Sequence, residues 1–336
     1  MSRPDIPLHP EVLALVRNRP IVLAVSGGGD SMALLQIFWR LYRAGKLAGP
    51  LLVAHLNHQQ RQPFADEAEA LILREATQRD LPLVTRRFDT MVSSIRCPTG
   101  ESEEAWLALY RHEYLATVAR EFDTNSVILT GHQSDDHAES LLLGLMRGCS
   151  LGGLAYPVIK QWHGISVGAP LTLCRRSDLR TYLERQRVPY LEDPMNSDPH
   201  SNRSSVRMLL TELESRTGRD WTAPIARSAE SIRQGAEALH QQASAMALNL
   251  SSDGALSVRD WRKVPAGLAV MVLEAYAEGQ GMEPTGRQLH ELERWLRTSP
   301  LNSARFVMGP EFIAMVYQGK LQIQAASLNQ DESVIP

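Results

Sequence analysis

Residues 21–31 read Ile21-Val22-Leu23-Ala24-Val25-Ser26-Gly27-Gly28-Gly29-Asp30-Ser31. The first five are apolar and rich in branched side chains, the pattern of a buried strand. The run stops at a Ser/Gly turn, and helical spacing follows in Met32, Leu34, Leu35 and Phe38. Strand, glycine turn and helix in this order make a cradle for phosphate. Glycines let the backbone approach the anion, and the unpaired amides at the helix start point at it. The hydroxyls of Ser26 and Ser31 can add donors. Two common nucleotide loops do not fit residues 26–31. A Walker loop ends in Gly-Lys-Ser/Thr, and the dinucleotide fingerprint is G-x-G-x-x-G. The bland alternative is a tight strand-helix turn with no ligand.

Further along, the pattern alternates. Leu51-Leu52-Val53-Ala54-His55 is a second apolar strand, residues 66–79 have helical spacing, and residues 81–88 suit a third strand. Residues 101–120 form a long amphipathic helix, residues 126–130 a fourth strand, and residues 135–146 another helix. This alternation predicts a parallel sheet wrapped by helices, with ligands outside the carboxyl ends of the strands. Three strand ends are conspicuously polar: 26–31, 55–61 and 131–136. A composition shift at 217–224 marks a boundary. Residues 226–250, 266–276 and 287–297 are helical, and the tail at 304–308, 312–317 and 321–323 reads as short strands. The expected domains are 1–216, 217–300 and 301–336.

The totals agree with a soluble globular protein. A chain of 336 residues holds two domains, with room for a small third. A net charge of −3 argues against a polybasic nucleic-acid binder and leaves RNA contact to local patches. Cys97, Cys149 and Cys174 form no C-x-x-C pair, so neither zinc nor an iron–sulfur cluster is expected, and the sparse set suits a reducing cytoplasm. The first ten residues carry charge and proline rather than an apolar signal core, and no run is long enough to span a bilayer.

Several polar groups carry candidate chemistry. His55-Leu56-Asn57-His58 with Arg61 offers donors to a phosphate or a base edge, or is an ordinary polar loop. Asp135, Asp136 and Glu139 open a helix, where one acid could serve as a cap. Three carboxylates near a triphosphate suit Mg²⁺, which shares oxygen ligands with phosphates, or a cationic amine substrate. Arg147-Gly148 is either a helix C-cap or an arginine reaching phosphates. Arg203 and Arg207 share one helical face near Asp193 and Asn196, either as a solvated face or as contacts to RNA phosphates or the nucleotide.

The loop S-G-G-x-D-S resembles the pyrophosphate loop of PP-loop ATP pyrophosphatases. Together with His55–His58 and Arg61, Thr130-Gly131-His132, Asp135, Asp136, Glu139, Arg147-Gly148, Gly153-Leu154, Asp193, Asn196, Arg203 and Arg207, the chain resembles the tRNA(Ile)-lysidine synthase family. The match covers roughly the first 215 residues in the family's order. It implies an α/β fold with a Rossmann-like parallel sheet, then a helical domain and a small C-terminal β-containing segment. It implies ligation of lysine to C2 of the wobble cytidine of tRNA(Ile), through an adenylated cytidine, with release of AMP and pyrophosphate. Its substrates would be ATP, L-lysine and a tRNA(Ile) with a CAU anticodon, with Mg²⁺ as cofactor. A homodimer is compatible with it, and a membrane partner is not expected.

By this resemblance Ser26, Gly27, Gly28, Gly29 and Ser31 hold phosphates, with His55, Arg111, Arg147, Arg203 and Arg207 also facing the nucleotide. Asp30 and Asp136 hold Mg²⁺, Asp135 and Glu139 orient lysine, and His132 stabilises charge at the adenylated base. The residues after 217 grip tRNA. Arg111-His112 aligns with the family's Arg-Tyr, Ala108 stands where an Arg is usual, Ser204 where Asn is usual, and Gln133 and His137 also depart. Rival readings are a tRNA thiolase of the same superfamily and a non-catalytic paralogue that binds nucleotide or RNA.

Overall fold

The computed structural model describes residues 6–59, 62–88, 103–192 and 202–326. It divides into two compact units, Met1–Cys149 with Gly153–Glu230, and Ser150–Gly152 with Ser231–Pro336. The first opens with α1 (Pro10–Val16), β1 (Ile21–Ala24), α2 (Gly29–Arg43), β2 (Leu51–Asn57), α3 (Phe64–Gln78) and β3 (Leu83–Arg87). Next come α4 (Glu103–Phe122), β4 (Val127–Leu129), α5 (Ser134–Met146), α6 (Leu151–Leu154), β5 (Ile159–Trp162), β6 (Ile165–Gly168), α7 (Arg176–Gln186) and α8 (Asn202–Thr217).

The six strands lie in the order β3-β2-β1-β4-β6-β5. All pairs are parallel except β5–β6. Successive strand residues point to opposite faces, so an unbroken apolar strand requires both faces covered. Leu23, Val53 and Leu129 accordingly pack with Val12, Leu35, Phe38 and Leu183 on one face. Val22, Ala54 and Ile128 pack with Leu115, Ala116 and Ala119 of α4 on the other. The chain runs outward from β1 to β3 and then returns to place β4 on the other side of β1. That reversal opens a crevice beyond the ends of β1 and β4.

The hairpin β5–β6 is absent from the sequence expectations. Its two-residue turn, His163 (φ 47°) and Gly164 (φ 81°), has both residues in the left-handed region. That is the turn whose twist matches antiparallel strands.

The second unit takes most of α9 (Thr222–Leu250), then β7 (Ser251–Ser252), β8 (Ala255–Ser257), α10 (Val258–Trp261), α11 (Ala266–Gly279) and α12 (Gly286–Thr298). Three strands follow, β9 (Ser303–Met308), β10 (Phe312–Tyr317) and β11 (Lys320–Ala325). The antiparallel order is β7-β8-β11-β10-β9, so two short strands from within 217–300 share a sheet with the tail. Among the described residues no helix is long and apolar enough to cross a membrane.

Trp261 centres this second core. It is fully buried, and its indole N–H donates to the Ala269 carbonyl at 3.0 Å. Leu256, Leu273, Leu292 and Leu321 belong to the same cluster. Trp261→Ala should cost about 3–5 kcal/mol through the cavity it leaves. Urea unfolding followed by circular dichroism measures this, and a change below about 1 kcal/mol would show that the core does not rest on this ring.

Candidate active site

The carboxyl ends of β1, β2 and β4 open on a cavity of about 410 Å³. Ser26, Asp30 and Ser31, then His55 and His58, then Thr130, Gly131 and His132 line it from three strand ends. Arg111 of α4 and Trp162 of β5 complete the wall. The three polar strand ends therefore converge as the sheet reading requires.

Backbone sterics shape the phosphate loop. Gly27 has φ +87°, and a Cβ there would stand 3.1 Å from the Ala68 Cβ. Gly28 is the N-cap of α2 and offers no side chain to its first turn, which leaves those amides for an anion. The Ser31 hydroxyl turns inward: it accepts from the Ser26 N–H at 3.1 Å and donates to the Gly28 carbonyl at 2.9 Å. Ser31 thus locks the loop, while Ser26 stays exposed. A Cβ on Gly131 would come within 2.9 Å of the Asp30 carbonyl carbon and the Ser31 nitrogen. Backbone meets backbone there, so the loop after β4 sits directly on the start of α2.

The histidines that line or adjoin this cavity are neutral. Burial pushes His132 and His58 down to about 4, with Arg111 adding to both. Burial also pushes His137 down to about 4 and lowers His55. The His55 Nδ1 lies 2.8 Å from the Val25 carbonyl, so Nδ1 carries the proton. Its Nε2 is buried with no partner among the described residues and, in a neutral ring, is an acceptor. The sequence expectation of a donor at His55 is corrected: this atom suits an amine or hydroxyl and not a phosphate. The His132 Nδ1 pairs with the Thr130 hydroxyl at 2.8 Å, which leaves Nε2 for a ligand.

Beside the cavity, acids and arginines interlock. Arg176 places its guanidinium 3.6 Å from Asp30, 3.3 Å from Asp136 and 3.5 Å from Glu139. Arg175 grips both oxygens of Asp135, at 3.1 and 3.2 Å, and also pairs with Asp220. Glu139 is buried and accepts two bonds from Arg207, at 2.8 and 3.1 Å, with Arg203 at 3.7 Å. Asp136 also caps α5, accepting from the Gln133 N–H at 3.1 Å. Burial would raise Asp136, but His132, Arg176 and Arg203 outweigh it and hold its pKa below the usual range. Since His132 is neutral above about pH 4, the arginines do this at neutral pH. Asp30 is raised to about 6 by burial and by Asp136, and its Oδ1 is buried with no partner among the described residues.

The structure thus gathers Ser26–Ser31, His55, Arg111 and His132 at the cavity, and Asp30, Asp135, Asp136, Glu139, Arg203 and Arg207 in the adjoining cluster. Arg147 is not brought in. It is exposed at the far end of α5, roughly 18 Å along the helix from Asp135. Gly148 (φ +68°) donates to the Leu145 carbonyl there, so this pair is a helix stop. Arg61, Asp193, Asn196 and Cys97 lie outside the described residues. Arg175 and Arg176 were missed. Their signal is physical: two cations at the start of α7 oppose the helix dipole and therefore need carboxylates.

Two outcomes follow from this geometry. Gly131→Ala should push the β4 loop off the start of α2 and weaken nucleotide binding roughly tenfold or more, with the fold retained. Calorimetric titration with ATP checks this, and wild-type affinity would refute the close-approach argument. Acid should destabilise the protein. The neutral preference of His132 and His137 contributes fully above their ordinary pKa of 6.5 and is lost as the pH falls toward about 4. Asp30 acts oppositely between its ordinary 3.8 and about 6, favouring folding as the pH falls. The histidines outnumber it, so the urea midpoint should fall between pH 7 and 4.5, and less steeply in His137→Leu. An equal slope in that variant would remove His137 from the account.

A family model described as the PP-loop domain matches residues 8–214. The tRNA(Ile)-lysidine synthase of Thermus thermophilus is 34% identical over 302 residues, covering 88% of this chain and 56% of that protein. The tRNA(Ile)-lysidine synthase of Chlorobaculum tepidum is 35% identical over 187 residues, covering 56% of this chain and 54% of its own length. The chain spans about half the length of these curated relatives. Among solved structures, the U34-tRNA thiolase NcsA from Methanococcus maripaludis has a TM-score of 0.54 at 17% identity, covering 66% of this chain and 74% of that one. This last likeness concerns the fold alone. With the matched segment spanning the whole parallel sheet and its phosphate loop, the chain belongs to the PP-loop domain family.

Proposed function

We propose that this protein joins lysine to C2 of the wobble cytidine of a tRNA(Ile), using ATP and releasing AMP and pyrophosphate. The observation that carries the reading is the cavity itself: a phosphate loop without a Walker lysine, beside a carboxylate oxygen, Asp30 Oδ1, that is buried and has no partner among the described residues. The likeness to tRNA(Ile)-lysidine synthases over 88% of this chain supports it.

The chemistry needs two steps. The C2 oxygen of cytosine is a poor leaving group, and adenylation makes it a good one. The lysine ε-amine then attacks C2 and AMP departs. In this scheme the α2 amides, Gly27–Gly29 and Ser26 bind the phosphates, and Ser31 holds their loop in shape. The His55 Nε2 accepts from the exocyclic amine of adenine. Arg111 and His132 Nε2 face the reacting base as the charge on it changes, so catalysis is mainly orientation and electrostatics. Asp30 and Asp136 fit Mg²⁺, which neutralises phosphate charge when bound; the orphaned Asp30 oxygen is the observation that fits it. Asp135 and Glu139 are the carboxylates for the lysine ammonium. Both now hold guanidiniums, so lysine binding exchanges one cation for another. Ala108 lies one turn before Arg111 on α4, which leaves Arg111 as the cation of that helix face. The second unit is the part that grips tRNA.

Mass analysis of tRNA after incubation with ATP, Mg²⁺ and each amino acid tests the whole reading. Lysine alone should add to tRNA, with AMP and pyrophosphate formed only when tRNA is present. Asp30→Ala should lower turnover about 10²-fold or more at saturating ATP. Release of ADP and inorganic phosphate, or transfer of sulfur to the tRNA, would replace this reading with another.

A further inference from the structure

Lys160 and Trp162 stand two residues apart on β5 and so share one face of the sheet. Trp162 packs on the α4 side and lines the cavity, which places Lys160 on that side as well. The Lys160 ammonium stands 3.7 Å over the Tyr156 ring. Among the described residues no carboxylate pairs with it, and none pairs with Arg111. The neighbouring acids cannot serve, because each already holds a guanidinium within 3.6 Å. Lys160 and Arg111 also bear on the same two rings, lowering the pKa of both His112 and His132. Beside them the Trp162 and His112 rings stack at 3.7 Å, with planes 17° apart.

Two cations on the α4–β5 side of the cavity, neither paired with a carboxylate among the described residues, favour an anion within reach of both. A phosphate has oxygens enough to meet an ammonium and a guanidinium together. A flat aromatic stack alongside suits the base attached to such a phosphate. We propose that Lys160 and Arg111, with the Trp162–His112 stack beside them, form a phosphate subsite on the wall that α4 and β5 give to the cavity. The phosphate belongs either to the nucleotide or to the RNA backbone. The inference rests on the reading that this cavity takes both.

The test compares Lys160→Gln and Lys160→Arg with wild type. Dissociation constants are measured for Mg·ATP and, separately, for an unmodified tRNA transcript, over a series of salt concentrations. Lys160→Gln should weaken one probe roughly tenfold, and Lys160→Arg should restore it. A loss confined to ATP assigns the subsite to the nucleotide. A loss confined to tRNA, with a salt slope shallower by about one, assigns it to the RNA backbone. Unchanged affinity for both probes overturns the subsite, as does a loss that arginine fails to restore. If wild type itself binds no tRNA, the lysidine reading falls, and the ATP arm alone decides the subsite.

Discussion

A carboxylate removed from water has to be met by cations, and Glu139 imposes that demand on the whole site. It is buried on α5, and its partners come from two other helices, Arg176 at the start of α7 and Arg203 and Arg207 on α8. Leaving such a charge unpaired costs several kcal/mol. The three helices are therefore fixed relative to one carboxyl group. Because Arg176 reaches Asp30 and Asp136 from that position, the acids beside the phosphate loop are set by the same requirement. A cluster of like charges that would otherwise spread apart is held close by the guanidinium among them.

The sheet supplies the other half of the geometry. Placing β4 beside β1 brings the loop after β4 against the start of α2, and only a glycine at 131 allows the two backbones to touch. This contact sets His132 and the phosphate loop side by side without any side chain bridging them. Precision at the cavity thus comes from main-chain packing, and the side chains around it are left for ligands.

Much of this was legible in the chain. The run 21–31 announces strand, cradle and helix because each part has its own residue chemistry, and the three polar strand ends point to one rim as soon as the sheet is parallel. What escaped did so for physical reasons. The β5–β6 hairpin reads poorly because Lys160 and Gln161 interrupt its apolar pattern, although His163-Gly164 is a legitimate turn signal. The strands β7 and β8 are too short to show a period. Arg175 and Arg176 belong to no motif, and only their opposition to the helix dipole marks them. At His55 the residue was found but not its tautomer, since the proton position is decided by the Val25 carbonyl. Ser31 looked like a phosphate donor and instead spends its hydroxyl on the loop's own backbone.

The sharing of arginines among carboxylates has a consequence for how such a site can change. Arg176 answers to Asp30, Asp136 and Glu139 at once, and Glu139 answers to three arginines. Effects of substitution in a network of this kind do not add. Removing Glu139 takes two hydrogen bonds from Arg207 and one counter-charge from Arg176 and Arg203, so the cost of a second substitution at any of these arginines depends on whether Glu139 is still present. In such a network the energetic role of one charged residue is defined only together with its counterions.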